Sequence, residues 1–195
     1  MLLVYAVAIG LIAGLVTRGR LSALGTVHIR FWPVALLGLA FQLVLFSSPV
    51  AASVGLLGPS LYVVSTTLVL MALVFNLRQP GFWLITLGAL LNFTAIIANN
   101  GFMPASLDAI AALTGGQVLP TADYTNSALA SSTTILPFLG DVFVLPHPFP
   151  LANVFSIGDL LIGLGGGWFV VRTMHRAAPS TPSVATIRTA QANNA

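Results

Sequence analysis

Apolar residues in this chain do not alternate with polar ones; they run together. Five stretches, at about residues 2–17, 29–46, 59–77, 82–98 and 154–172, are apolar over nearly their whole length. A helix rises about 1.5 Å per residue, so about 20 such residues cross the roughly 30 Å hydrocarbon core of a bilayer. The pattern predicts an all-α fold, a polytopic membrane protein of about five transmembrane helices. Pro59 opens the third stretch, where a first helical turn accepts proline. The first stretch, LLVYAVAIGLIAGLVT, is expected to persist as a span: its positive charges follow the apolar run, and no small-residue cleavage site stands out.

Between the fourth and fifth stretches lies one large outer loop, about 99–153, holding Pro104, Pro120, Pro137, Pro146, Pro148 and Pro150. Its "NNG" at 99–101 is a turn signal, because Asn and Gly tolerate positive φ. "SLDAIAALTGG" predicts a short helix with Ser106 as cap and Gly115 or Gly116 as terminator. "VFVL" at 142–145 predicts a short strand. Phe102, Met103, Phe138, Phe143 and Phe149 make the loop too apolar for a plain linker and predict that it folds back on the outer membrane surface. The division is therefore one transmembrane domain, 1–176, and a polar tail without periodicity, 177–195, expected to be disordered and cytoplasmic.

Composition fits lipid as the solvent. The chain is 57% hydrophobic and 6% charged, against about 25% charged residues in a soluble domain. It has no Lys, Glu or Cys, which excludes disulfides and thiolate metal sites. The net charge of +3 comes from arginines beside apolar stretches, and no basic helix or RNA-binding motif accompanies them, so no nucleic-acid partner is expected. With five spans, Arg18, Arg20, Arg30, Arg78, Arg172, Arg176 and Arg188 fall on one side of the membrane, and Asp108, Asp123, Asp141 and Asp159 fall at the other. The positive-inside rule then sets the N-terminus outside and the C-terminus in the cytoplasm.

Two aspartates carry the candidate chemistry. "SIGD" at 156–159 fits a capping box, with Ser156 and Asp159 each satisfying the other's amide at a helix start. An acid at a membrane boundary is also a functional candidate. If the proline-punctuated loop returns Asp141 to Asp159, the two carboxylates could act on water as acid and base. Asn99, Asn100, Gly101, Ser156 and His147 are further candidates for an outer cleft. His147, alone in "PHP", is a poor metal site, and no metal or cofactor is expected. "GLGGG" at 163–167 reads as a helix-packing face with Gly163 and Gly167 four apart. Gln42, Ser65, Thr66, Asn92 and Thr94 are expected to hydrogen-bond between helices.

The segments "DVF" at 141–143, "FP" at 149–150 and "FSIGDLLIGLG" at 155–165 resemble the C-terminal part of the lipoprotein signal peptidases, membrane aspartyl proteases; the resemblance implies Asp141 and Asp159 as a catalytic dyad. Ser156 stands where that family has Asn, and Gly158 where it has Ala. "NNGFMPAS" at 99–106, "LGD" at 139–141 and "FPLANVFSIGDLLIGLG" at 149–165 resemble a group of bacterial multi-pass membrane proteins, the domain of unknown function 5317. That resemblance implies a bacterial inner-membrane location and supplies no activity. The leading expectation is a non-enzymatic or uncharacterised inner-membrane protein whose folded outer loop is its working surface. The alternatives are an aspartyl hydrolase using Asp141 and Asp159, and a small transporter or accessory subunit of a membrane complex.

Overall fold

Each of the five apolar stretches contains a helix in the computed structural model of the chain, which describes residues 2–45, 53–116 and 127–176. The predicted tail at 177–195, Asp123 and Arg188 lie outside the described residues. The long helices are α1 (Leu2–Val16), α2 (Trp32–Leu45), α3 (Gly58–Val74), α4 (Phe82–Ala98) and, after the outer loop and its short helix α5 (Leu107–Thr114), α6 (Ile157–Met174). The protein is mostly helical. At 18 residues, α6 has the length and apolar composition to cross a membrane; α1 to α4 are also apolar, at 14 to 17 residues. A 3-10 turn at Gly55–Leu57 leads directly into α3, whose first turn takes Pro59.

The helices are arranged as a row. α1 packs on α6, α6 on α4, α4 on α3, and α3 on α2, while α1 and α2 make no extended contact with each other. Glycines set the closeness of the first two seams. A Cβ on Gly10 would come within 2.8 Å of the Gly167 carbonyl, and one on Gly88 within 2.3 Å of the Gly158 carbonyl. Gly167 faces α1 and Gly165 faces α4, so the glycine run of α6 serves both neighbours. Two edge-to-face aromatic pairs, Phe82–Phe169 and Trp83–Trp168, close the α4–α6 seam at its other end. Across the α2–α3 seam the Gln42 amide donates to the Ser65 and Thr66 hydroxyls, each at 3.1 Å. Thr94 differs from the expectation of interhelical bonding. Its hydroxyl donates to the Leu90 carbonyl one turn back on its own helix, the ordinary outlet for a helical Thr facing outward.

The long connection between α4 and α6 is built from short pieces. β1 (Met103–Ala105) pairs in parallel with β2 (Ser127–Leu129), and β3 (Phe143–Leu145) pairs antiparallel with β4 (Asn153–Phe155). The predicted helix is α5, ended by Gly115 at φ 68°; Ser106 precedes it in extended conformation without a side-chain capping bond. Asn100 and Gly101 turn the chain out of α4 with φ of 57° and 88°. A core of Ala95, Ile96, Met103 and Leu139, joined by Tyr62 and Val63, fastens this loop to the ends of α3 and α4.

Candidate functional site

The start of α6 carries a closed ring of hydrogen bonds. Ser156, fully buried, is the N-cap. Its hydroxyl oxygen accepts from the Asp159 amide at 3.0 Å, and its own amide donates to Asp159 Oδ2 at 3.1 Å. This is the capping box expected from "SIGD". Asn92 of α4 completes it: Nδ2 donates to Asp159 Oδ1 at 2.9 Å, and Oδ1 accepts from the Ser156 hydroxyl at 2.7 Å. Both Asp159 oxygens therefore act as acceptors. Gly158 makes room for the Asn92 side chain, whose Oδ1 lies 2.0 Å from where a Cβ on residue 158 would sit.

Asp141 reaches the same region through the loop. Its amide donates to the Pro104 carbonyl at 2.8 Å, and its carbonyl accepts from the Ser106 amide at 3.0 Å. Its backbone thus extends the β1 edge opposite Ala105. Gly140, just before it, lies against the same Pro104 carbonyl, 2.2 Å from an added Cβ. In the β3–β4 pair Phe143 stands opposite Phe155, so the segments that lead to Asp141 and to Ser156 leave the pair at the same end. The Asp141 carboxyl is pushed up from 3.8 to about 7, first by burial and second by the charge of Asp159. The two carboxyl groups therefore feel one another. The phenol of Tyr62, on α3, lies within the electrostatic reach of both.

The other candidates sit elsewhere. Asn99 is a clamp on the loop: its Nδ2 donates to the Ala95 and Ile135 carbonyls, and its Oδ1 accepts from the Ile135 amide. Gly101 is pressed against Pro59 at the start of α3, and Asn100 is exposed beside it. His147 is exposed in the connection between β3 and β4, at the far end of those strands from Asp141. Two members of the carboxylate surroundings escaped sequence reading. Asn92 reads only as one more mid-span polar residue, although Gly88 one turn before it marks the face on which α6 comes close. Tyr62 carries no signal at all, since only the fold brings α3 to this site.

A half-buried carboxyl raised to about 7, under the influence of a second carboxylate that accepts hydrogen bonds, is an arrangement that can give and take protons in one reaction. Among the described residues no three His, Asp or Glu side chains gather as a metal set. No curated protein and no solved structure matches the chain. The model of a family of unknown function, DUF5317, matches residues 26–171, three-quarters of the chain, and the chain belongs to that family.

Proposed function

We propose that this is a five-span membrane protein, in a bacterial inner membrane, whose outer loop forms an acid–base site from Asp141 and Asp159. The membrane reading is supported by what the helices leave outside. In α1 only Gly10 and Gly14 are buried, while Ile9 is 64% exposed; in α2, Leu37 is 69% and Leu43 78% exposed. Helices apolar all round and bare on most faces suit hydrocarbon surroundings. Hydrogen bonds from Arg20 to Arg176 and from Arg176 to Gln79 gather the arginine-bearing segments at one end of the row, and both candidate aspartates belong to the opposite end. By the positive-inside rule the arginine end is cytoplasmic, the N-terminus is outside and the C-terminus inside. A periplasm-active reporter enzyme fused at the C-terminus is expected to be silent, and the same reporter inserted at exposed His147 to be active. The reverse pattern would invert the orientation.

The single observation that carries the chemistry is the Asp141 carboxyl, raised to about 7 by burial and by Asp159. At neutral pH such an acid is protonated about half the time. In the proposed hydrolysis Asp159 takes a proton from water, the water oxygen attacks a carbonyl carbon, and Asp141 gives its proton to the carbonyl oxygen. Collapse of the adduct returns that proton to Asp141, and Asp159 gives the proton it took from water to the departing amine or alcohol, restoring both carboxyl groups. The test is hydrolysis of fluorogenic amide and ester substrates by the full chain in micelles, comparing the native protein with Asp141→Asn and Asp159→Asn. Each variant is expected to lose at least about a hundredfold in rate, the scale of general acid–base catalysis. Hydrolysis that survives both substitutions would end the reading. The ring around Asp159 favours a second reading, a purely structural cap: Asp159→Asn would then lower stability while any activity persisted.

A further inference from the structure

The end of the row opposite the carboxylates is basic. Arg18, Arg20, Arg30, Arg78 and Arg172 are exposed there, and Arg176 is half-buried. The described aspartates, Asp108, Asp141 and Asp159, all belong to the outer loop or to the first turn of α6. Among the described residues, then, no carboxylate faces these guanidinium groups.

Two of the arginines are held in place. The Arg20 amide donates to the Met174 carbonyl at 2.8 Å, and its guanidinium donates through one nitrogen to the Arg176 carbonyl at 3.1 Å. The Arg176 guanidinium donates to Gln79 Oε1 at 2.8 Å, and the Gln79 amide donates to the His28 carbonyl at 3.0 Å. This chain of bonds ties the connection after α1, the connection between α3 and α4, and the end of α6 into one platform. Each guanidinium has five N–H donors, so a single bond fixes its position and leaves most donors free. His175 adds to the same platform. Its two ring nitrogens face the Val171 and Thr17 carbonyls, and those carbonyls raise its pKa.

We propose that the platform around Arg20 and Arg176 binds the phosphodiester headgroup of an anionic lipid in the leaflet at that end. The inference rests on the membrane reading and is independent of the hydrolytic one. The Arg20 and Arg176 side chains are anchored on neighbouring segments, and among the described residues no carboxylate pairs with them, so both keep donors for one anion. A phosphodiester offers paired oxygens that match the planar guanidinium fork. The level is also right, because Arg20 and Arg176 follow directly on the apolar ends of α1 and α6, where headgroups lie. Clusters of basic side chains at the cytoplasmic end of membrane helices attract anionic headgroups.

The test reconstitutes the full chain in phosphatidylcholine vesicles and measures, by spin-labelled lipids, the association of phosphatidylglycerol against phosphatidylcholine. The native chain is expected to prefer phosphatidylglycerol at least about tenfold, from roughly the contribution of two basic groups near an anionic leaflet. R20Q/R176Q keeps an amide donor at each position and is expected to reduce the preference to within about twofold. R20K/R176K, which keeps the charge but not the fork, is expected to retain only part of it, between the native chain and R20Q/R176Q. Millimolar inorganic phosphate should leave the preference unchanged. Equal association of both lipids, or a preference that survives in R20Q/R176Q, overturns the proposal; displacement by inorganic phosphate overturns it in favour of a soluble-anion site. If alkaline carbonate extracts the chain from the vesicles, the membrane reading fails and takes this inference with it. Firm insertion with equal association fails this inference alone.

Discussion

Gly158→Ala is expected to destabilise the protein by about 3 kcal/mol, the upper part of the range for forcing extra volume into a packed seam. The new methyl would sit 2.0 Å from Asn92 Oδ1 and 2.5 Å from the Gly88 carbonyl. Asn92 could swing away, but Ser156 would then lose its acceptor and Asp159 a donor, leaving buried polar groups that cost roughly 1–3 kcal/mol each. The Gly88 carbonyl is backbone and can move only with α4 itself. Gly25→Ala is the control, because nothing lies within 4 Å of its Cβ position; it should change stability by less than about 0.5 kcal/mol. Equilibrium unfolding in mixed micelles measures both. Equal effects would mean that the α4–α6 seam is looser than described.

Stability should also fall as the pH rises from about 4 to about 7. The Asp141 carboxyl has a folded pKa of about 7 against 3.8 for the unconstrained group, so between those values the folded state binds more protons than the unfolded one. The slope of unfolding free energy with pH is then negative in that window and flattens above it. A shift of about three units corresponds to roughly 4 kcal/mol at most, at about 1.4 kcal/mol per unit; partial solvent contact of the carboxyl reduces the expected loss to about 2–3 kcal/mol. Asp141→Asn should remove the slope and leave the protein more stable than native above pH 7. Asp159→Asn should shift the Asp141 titration downward without returning it to 3.8, because burial, the larger cause, remains. Carboxyl carbon shifts followed against pH report the midpoint directly. A midpoint near 4 for Asp141 would remove both the pH prediction and the acid role.

The helices were legible because hydrophobicity marks them whatever surrounds them: each of the five apolar stretches holds one, and Ser156 starts α6 where its capping box indicates. The turn at Asn99–Gly101 and the Gly115 terminator were legible for a related reason, since positive φ selects those residues. Helix order was not legible. That α6 lies between α1 and α4 depends on which glycines meet backbone, and "GLGGG" indicates a close face without naming the neighbour. Asp141 could be nominated from its proline-flanked loop, but its hold on Pro104 and Ser106 is made by backbone groups, which carry no sequence signature. Asn99 illustrates the converse. Its sequence context makes it a cleft candidate, and its side chain is spent on the Ala95 and Ile135 backbone.

The row arrangement divides labour between two blocks. Glycine contacts bind α1, α6 and α4 into one, while α2 and α3 form the other, joined to it through the α3–α4 seam. Asp159, Ser156 and Asn92 ride on the first block, and Asp141 is fastened to β1, which follows α4. Tyr62, which feels both carboxylates, belongs to the second. The loop that carries Asp141 also packs on Tyr62 and Val63 of α3, and its Gly101 on Pro59, so a tilt of α2 and α3 would move that loop against the helix that carries Asp159, and the spacing of the two acids is mechanically coupled to the α3–α4 seam.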